Sequence, residues 1–291
     1  MQEINLPPQS LLACLQSSAY CSGAQPSFNG LLPYLGYSSL KMAFTGSNSN
    51  YNSLQAELHG QITKDLYLQT AYTWSRALDP STGNGNGWDL DPVSNPYVGW
   101  QYDYGPSSFD RTQIFFVNWV YNMPFLKNSS SRFLRTAVAG WTLSGIVTAE
   151  TGTPVFIGYN GQNVASIFSG DVLNRPDVIA PITYSKTANE WFNPASFAAP
   201  AAGTWGNLGY NSLRGPGRNN WDLSLFKTFV LNERGSAIQF RAECFNAWNH
   251  TQFGGPGQTD GISNNFGASN FGAVTSAWDP RVFQLGLKVM F

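Results

Sequence analysis

"RVFQLGLKVMF", residues 281–291, closes the chain on a two-residue rhythm. Phe283, Leu285, Leu287, Val289 and Phe291 are apolar, and Gln284, Gly286 and Lys288 stand between them. Successive side chains of a β-strand point to opposite faces, so this stretch reads as a strand with one apolar row and one polar row. It is also long: a tilted strand crosses a bilayer's hydrocarbon layer in about 9–11 residues, whereas strands of soluble proteins run about 5–6.

The rhythm recurs upstream in seven further segments. Tyr37 to Thr45 is weak. Tyr51 to Gly60 sets Leu54, Ala56 and Leu58 against Ser53, Gln55, Glu57 and His59. Leu66 to Leu78 puts Leu66, Leu68, Tyr72 and Trp74 on one face. Arg111 to Met123 has Phe115, Val117, Trp119 and Tyr121 on one face and a mixed second face with Asn118 and Asn122. Trp141 to Glu150, Asn219 to Phe229 and Ser236 to Trp248 alternate in the same way. The helix period is nearly absent.

The connections alternate as well. "QITKD" (61–65) and "LNERG" (231–235) are short, 124–139 is moderate, and 79–110, 151–218 and 249–277 are long. Short turns at one end and long loops at the other are the habit of outer-membrane barrels. Loops of such length are uncommon in compact soluble domains. The expected fold is therefore all-β: an antiparallel transmembrane β-barrel segment of about eight strands, with long extracellular loops and short periplasmic turns. Residues 1–36 form an irregular N-terminal segment, and 37–291 the barrel portion.

Composition agrees. Charged residues make up 11% of the 291-residue chain, against about 25% in an ordinary soluble domain. Aromatics reach 15%, and Trp74, Trp141, Trp221 and Trp248 lie near strand ends, where the amphipathic indole suits a membrane–water boundary. The polar face carries Glu57, Gln69, Arg241, Glu243, Gln284 and Lys288. Charges there would cost several kcal/mol against lipid but little against a wet bore, so this face is assigned to the lumen. A large soluble β-sandwich with a core face and a solvent face, a carbohydrate-binding one by function, is the alternative. No apolar run is long enough for a transmembrane helix, and no secretory leader follows Met1, so an exported protein would need a start that this sequence lacks.

Chemistry-bearing motifs are few. The formal net charge of −1 gives no reason to expect nucleic acid as a partner. With only His59 and His250, histidine metal sites and Ser/His/Asp triads have little to work with; neither an enzyme nor a cofactor is expected. "DLDP" (89–92) with Asp103 and Asp110 offers carboxylates for calcium, at a spacing that fits no known loop. Cys14 and Cys21 either form a local disulfide in an oxidising compartment or remain two loop thiols. Cys244 reads as a small hydrophobe.

The terminal strand resembles the C-terminal signature of bacterial outer-membrane barrels, carried here by Phe283, Leu285, Leu287, Val289 and Phe291; in that family it is read by the barrel-assembly machinery. "NSNYNSLQAELHGQITKDLYLQTAYTWSRALD", "NWVYNMPF", "GWTLSGIVTAETGTPV", "NSLRGPGRNNWDLSLFKTF", "FRAECFNAWNHTQFGGP" and "FGAVTSAWDPRVFQLGLKVMF" are similar to the later part of TonB-dependent outer-membrane receptors of the Oar-like type, which begin with a carboxypeptidase-regulatory-like domain. The resemblance covers residue 30 to the end. It implies a barrel of about 22 strands, an N-terminal plug, a coupling box for the TonB energy-coupling protein, and uptake of a large solute such as an oligosaccharide or a peptide. This sequence shows about eight strands, no plug and no coupling box, so the resemblance is to the C-terminal portion, with TonB reached only through the missing N-terminal part.

The roles of single residues follow from position. Trp88, Trp100, Tyr102, Tyr104, Trp191, Trp205 and Asn207 in the long loops are candidates for substrate contact by stacking and amide hydrogen bonding; the plainer reading is that they pack the loops together. Luminal Glu57, Arg241, Glu243 and Lys288 are candidates for contacts to the lumen or a plug, the plainer reading being pairing across neighbouring strands. A small structural barrel or passive porin is the competing reading.

Overall fold

Among the described residues, seven long strands form one antiparallel meander: β1 (Asn50–Thr63), β2 (Leu66–Asp79), β3 (Gln113–Asn122), β4 (Thr142–Glu150), β5 (Arg218–Val230), β6 (Ala237–Phe245) and β7 (Val282–Met290). Each pairs with its sequence neighbour, and a two-residue strand, Gly105–Pro106, adds to the end of β2. The computed structural model describes residues 2–80, 93–125, 130–131, 133–159, 161, 164–168, 173–231, 236–254 and 261–291.

The register sorts side chains as the alternation demands. On one face the paired rows read Lys288, Gln239, Thr228, and next to them Gln284, Glu243, Ser224, Ser144. Further round the sheet the same face carries Asn118, Gln69 and His59. Amides and hydroxyls here pair across strands: Gln239 Nε2 donates to Thr228 Oγ1 at 3.1 Å, Thr142 Oγ1 to Asn122 Oδ1 at 2.9 Å, and Asn118 Nδ2 to Gln69 Oε1 at 3.0 Å. Gln69 in turn donates to Glu57 Oε1 at 3.0 Å.

The opposite face is apolar almost throughout, from Leu54 and Leu58 on β1 to the terminal row. Phe283, Leu285 and Leu287 are 69%, 73% and 68% exposed. A contiguous apolar surface of this kind is rare on a soluble monomer. Trp119 lies flat on this face across Gly145 of β4, where an added Cβ would fall 2.3 Å from the indole. Trp119, Trp221 and Trp248 then follow one another edge to face, at 6.4 and 5.9 Å between ring centroids.

A cation, Lys227, sits on the apolar face of β5. It is buried near the short-turn end, within reach of the Trp141 and Phe229 rings, and its Nζ donates to the Ala139 carbonyl. Lysine stems often run along apolar surface in this way while the ammonium reaches a polar border.

One expectation is corrected. The weak strand expected over 37–45 is not part of the wall: only Lys41–Met42 is extended, and it pairs with Gln2–Glu3 at the long-loop end. The segment lacks the apolar row that would hold it on the sheet. The eight-stranded sheet among the described residues is made of the seven long strands and the short Gly105–Pro106. The long connections carry structure of their own. They fold into a cap with its own core of Val155, Ile157, Trp191, Phe192, Phe197, Leu208, Leu213, Ile262 and Phe271. The Phe192, Phe197 and Phe271 rings meet edge to face at 5.3–5.6 Å. Residues 2–49 lie on the same end: Tyr97 Oη donates to the Pro7 carbonyl, and Gln16 Oε1 accepts from Gly203 N. Cys14 and Cys21 are disulfide-bonded there.

Candidate functional site: the polar bore and its cap

The polar face of the sheet forms a groove that leads to the cap. Two pockets follow one another along it. One, about 360 Å³, is lined by Asn118, Ser144, Ser224, Arg241 and Glu243. The other, about 370 Å³, lies at the long-loop end between Arg218, Asn220, Gln252, Trp278 and Asp279. Asp222 and Phe245 line both. Polar side chains that alternate regularly with apolar ones on two faces are what a wall between lipid and water requires.

The chain matches, over residues 1–284, the family described as Outer membrane beta barrel domain. The chain belongs to that family. Its place is the outer membrane, with the apolar face toward lipid and the polar face toward the bore. Comparison with curated proteins and with solved structures gives no match. In this outer membrane barrel the short-turn end is periplasmic and the cap external, following the family's usual arrangement.

The four luminal candidates share the polar face of the sheet but do not form one site. Arg241 and Glu243 share the first pocket, with the Arg241 guanidinium 5.7 Å from the Phe226 ring. Lys288 stands opposite Gln239 on β7, at one edge of the sheet. Glu57 is on β1, at the other edge, where it takes Gln69 and lies 3.5 Å from His59 Nδ1.

The loop candidates are built into the cap. Trp191 is buried and donates through Nε1 to Arg214 O at 2.8 Å. Trp205 Nε1 donates to Ser94 O at 2.8 Å, and its ring meets Tyr97. Trp100 and Tyr104 stack edge to face at 5.7 Å. Asn207 Oδ1 accepts from Val178 N, and its own N–H goes to Asp177. Tyr102 Oη donates to Gly206 O at 2.7 Å, and the Arg175 guanidinium lies 3.8 Å over its ring. Burial pushes the Tyr102 phenol up to about 12, although nearby Arg175 acts in the opposite direction. Burial alone raises Tyr97 to about 12. Trp88 lies outside the described residues.

Asp103 and Asp110 are taken by arginines. Arg175 Nη1 pairs with Asp103 Oδ1 at 2.8 Å, fully buried, while Asp103 Oδ2 accepts from Ser94 N. Arg214 pairs with Asp110, whose other oxygen accepts from Ala77 N at 2.6 Å. Both carboxylates are thus structural pins for the cap; "DLDP" lies outside the described residues, and no group of three metal-ligating side chains occurs among the described residues.

Sequence reasoning missed these ion pairs and the mouth of the groove. Arg175 and Asp103 are 72 positions apart in long loops, and no periodicity links such residues. Gln252, Arg218 and Trp278 lie in stretches that carry the family resemblance, but nothing in their spacing marks a chemical role.

Proposed function

We propose that this chain is the C-terminal barrel portion of a TonB-dependent outer-membrane receptor that takes up a large solute. One observation carries the reading. Both edge strands run the same way: β1 leaves the cap for the short turn at 64–65, and β7 leaves the cap for the C-terminus. Within lipid every backbone N–H and C=O needs a partner, so edges must close. Joining β1 to β7, within one copy or between copies of common orientation, would make a parallel pair in an otherwise antiparallel wall. Strands running from periplasm to exterior, supplied by further wall, let both edges pair antiparallel. That favours a portion of a larger barrel.

The packed external cap and the polar bore suit solute capture and passage, and the similarity to Oar-like receptors points the same way. On this reading the barrel-assembly machinery recognises the terminal strand, and TonB acts through a part of the receptor outside these residues. The chain takes a binding and conducting role and carries no reaction.

A small structural barrel or passive pore fits the same family; its wall would close through β1 and β7 in parallel. The intact mass of the protein purified from outer membranes separates the two. The receptor reading predicts a polypeptide far larger than 31.9 kDa that cross-links to TonB. A species of that mass forming stable channels alone would refute it.

A further inference from the structure

The pocket at the external mouth of the bore has a floor with unmet hydrogen-bonding capacity. Gln252, 3% exposed, donates through Nε2 to Asn220 Oδ1 at 3.0 Å, while its Oε1 takes no hydrogen bond among the described residues. Arg218 stacks its guanidinium 4.2 Å over the Trp278 ring, and its buried Nε likewise lacks an acceptor. A buried polar atom without a partner costs about 1–3 kcal/mol. Asp222 and Asp279 line the same space, which at about 370 Å³ falls within the usual size of small-ligand sites, about 300–1,000 Å³.

The chemistry of this lining selects a ligand class. Gln252 Oε1 and the two carboxylates are acceptors and call for a donor-rich ligand. Arg218 Nε calls for an acceptor as well. A polyamine supplies donors only. An anionic glycan meets two carboxylates against one guanidinium. Vicinal hydroxyl groups each donate and accept, and the apolar face of a sugar ring suits the aromatic rings of Trp278 and Phe245.

We propose that this mouth pocket is a saccharide-binding site, recognising a neutral glycan through Arg218, Asp222, Gln252, Trp278 and Asp279. The proposal deepens the receptor reading by naming a ligand class, yet it needs only the outer membrane barrel. A receptor that imports a solute but binds no glycan would sink this proposal and leave the other standing.

The test uses the protein extracted from outer membranes in detergent. An array of neutral glycans is screened, and the tightest is titrated by calorimetry beside oligogalacturonate and spermidine. A neutral glycan is expected to bind, and to bind more tightly than either charged probe. Gln252→Leu and Arg218→Lys are each expected to weaken it about tenfold or more while keeping the heat-modifiable migration of a folded barrel. Trp278→Phe, a change in an external loop, is expected to reduce the tryptophan fluorescence response to the glycan. The proposal is overturned if no neutral glycan binds, if a charged probe binds more tightly, if folded variants bind like the parent protein, or if Trp278→Phe leaves the fluorescence response intact.

Discussion

Arg175 and Asp103 form an ion pair at 2.8 Å in which both side chains are almost completely buried. The guanidinium also donates to the carbonyls of Leu208 and Tyr102, so one residue ties three stretches of the external cap together. Gly206 allows this closeness: a Cβ there would fall 2.0 Å from the Arg175 carbonyl oxygen.

Removing one partner of a buried pair leaves a charge stranded. Arg175→Ala should destabilise the cap by about 3–5 kcal/mol. Limited proteolysis of intact cells should then cut the external loops, while the wall keeps its heat-modifiable migration. Unchanged protease resistance would show that the pair does not hold the cap.

The two neighbours Leu287 and Lys288 should respond in opposite ways. Leu287 is on the lipid face and Lys288 in the bore, opposite Gln239. Leu287→Arg should impair assembly, by about 2–4 kcal/mol if the residue lies near mid-bilayer. Lys288→Gln should be mild. Folded yield in outer-membrane fractions measures both, and equal tolerance would contradict the face assignment.

The raised phenols of Tyr97 and Tyr102 set an alkaline limit for the cap. Their folded values of about 12 stand above the ordinary value of about 10. The stability they contribute is therefore complete below pH 10 and is lost as pH rises from 10 toward 12. Protease sensitivity of the external loops should increase across that window. Replacing both residues by Phe should remove this part of the alkaline loss; an unchanged profile would exclude the two phenols as its cause.

Gly145 should not accept a side chain. Val at this position would drive its Cβ to within 2.3 Å of the Trp119 indole, and overpacking of this kind typically costs about 1–3 kcal/mol. Gly145→Val should lower the temperature at which the folded band is lost, and Trp119→Leu in the same chain should recover part of it. Absence of any recovery would argue against the contact.

The wall was legible in the sequence because a strand's period is local. Phe283 to Phe291 alternates without help from the rest of the chain, and so does Leu54 to Leu58. The segment 37–45, "YSSLKMAFT", mixes small and polar residues with scattered apolar ones, and pairing across the cap decides its place: Lys41–Met42 meets Gln2–Glu3. The cap was not legible. Arg175 with Asp103, and Gln252 with Asn220, are non-local contacts between loops, where neither a period of 2 nor one of 3.6 marks a partner. Trp191, Trp205 and Tyr102 are visible in the sequence as loop aromatics, but only the folded contacts show that their polar atoms are already engaged within the cap.

Spin labels placed singly from 282 to 290 in the assembled protein test the central claim most directly. Two-faced burial predicts that labels at 283, 285, 287 and 289 are relaxed by oxygen, which concentrates in lipid, and that those at 284, 286 and 288 are relaxed by a water-soluble nickel chelate. A flat profile, with both reagents reaching every position alike, would contradict a strand that separates acyl chains from a hydrated bore.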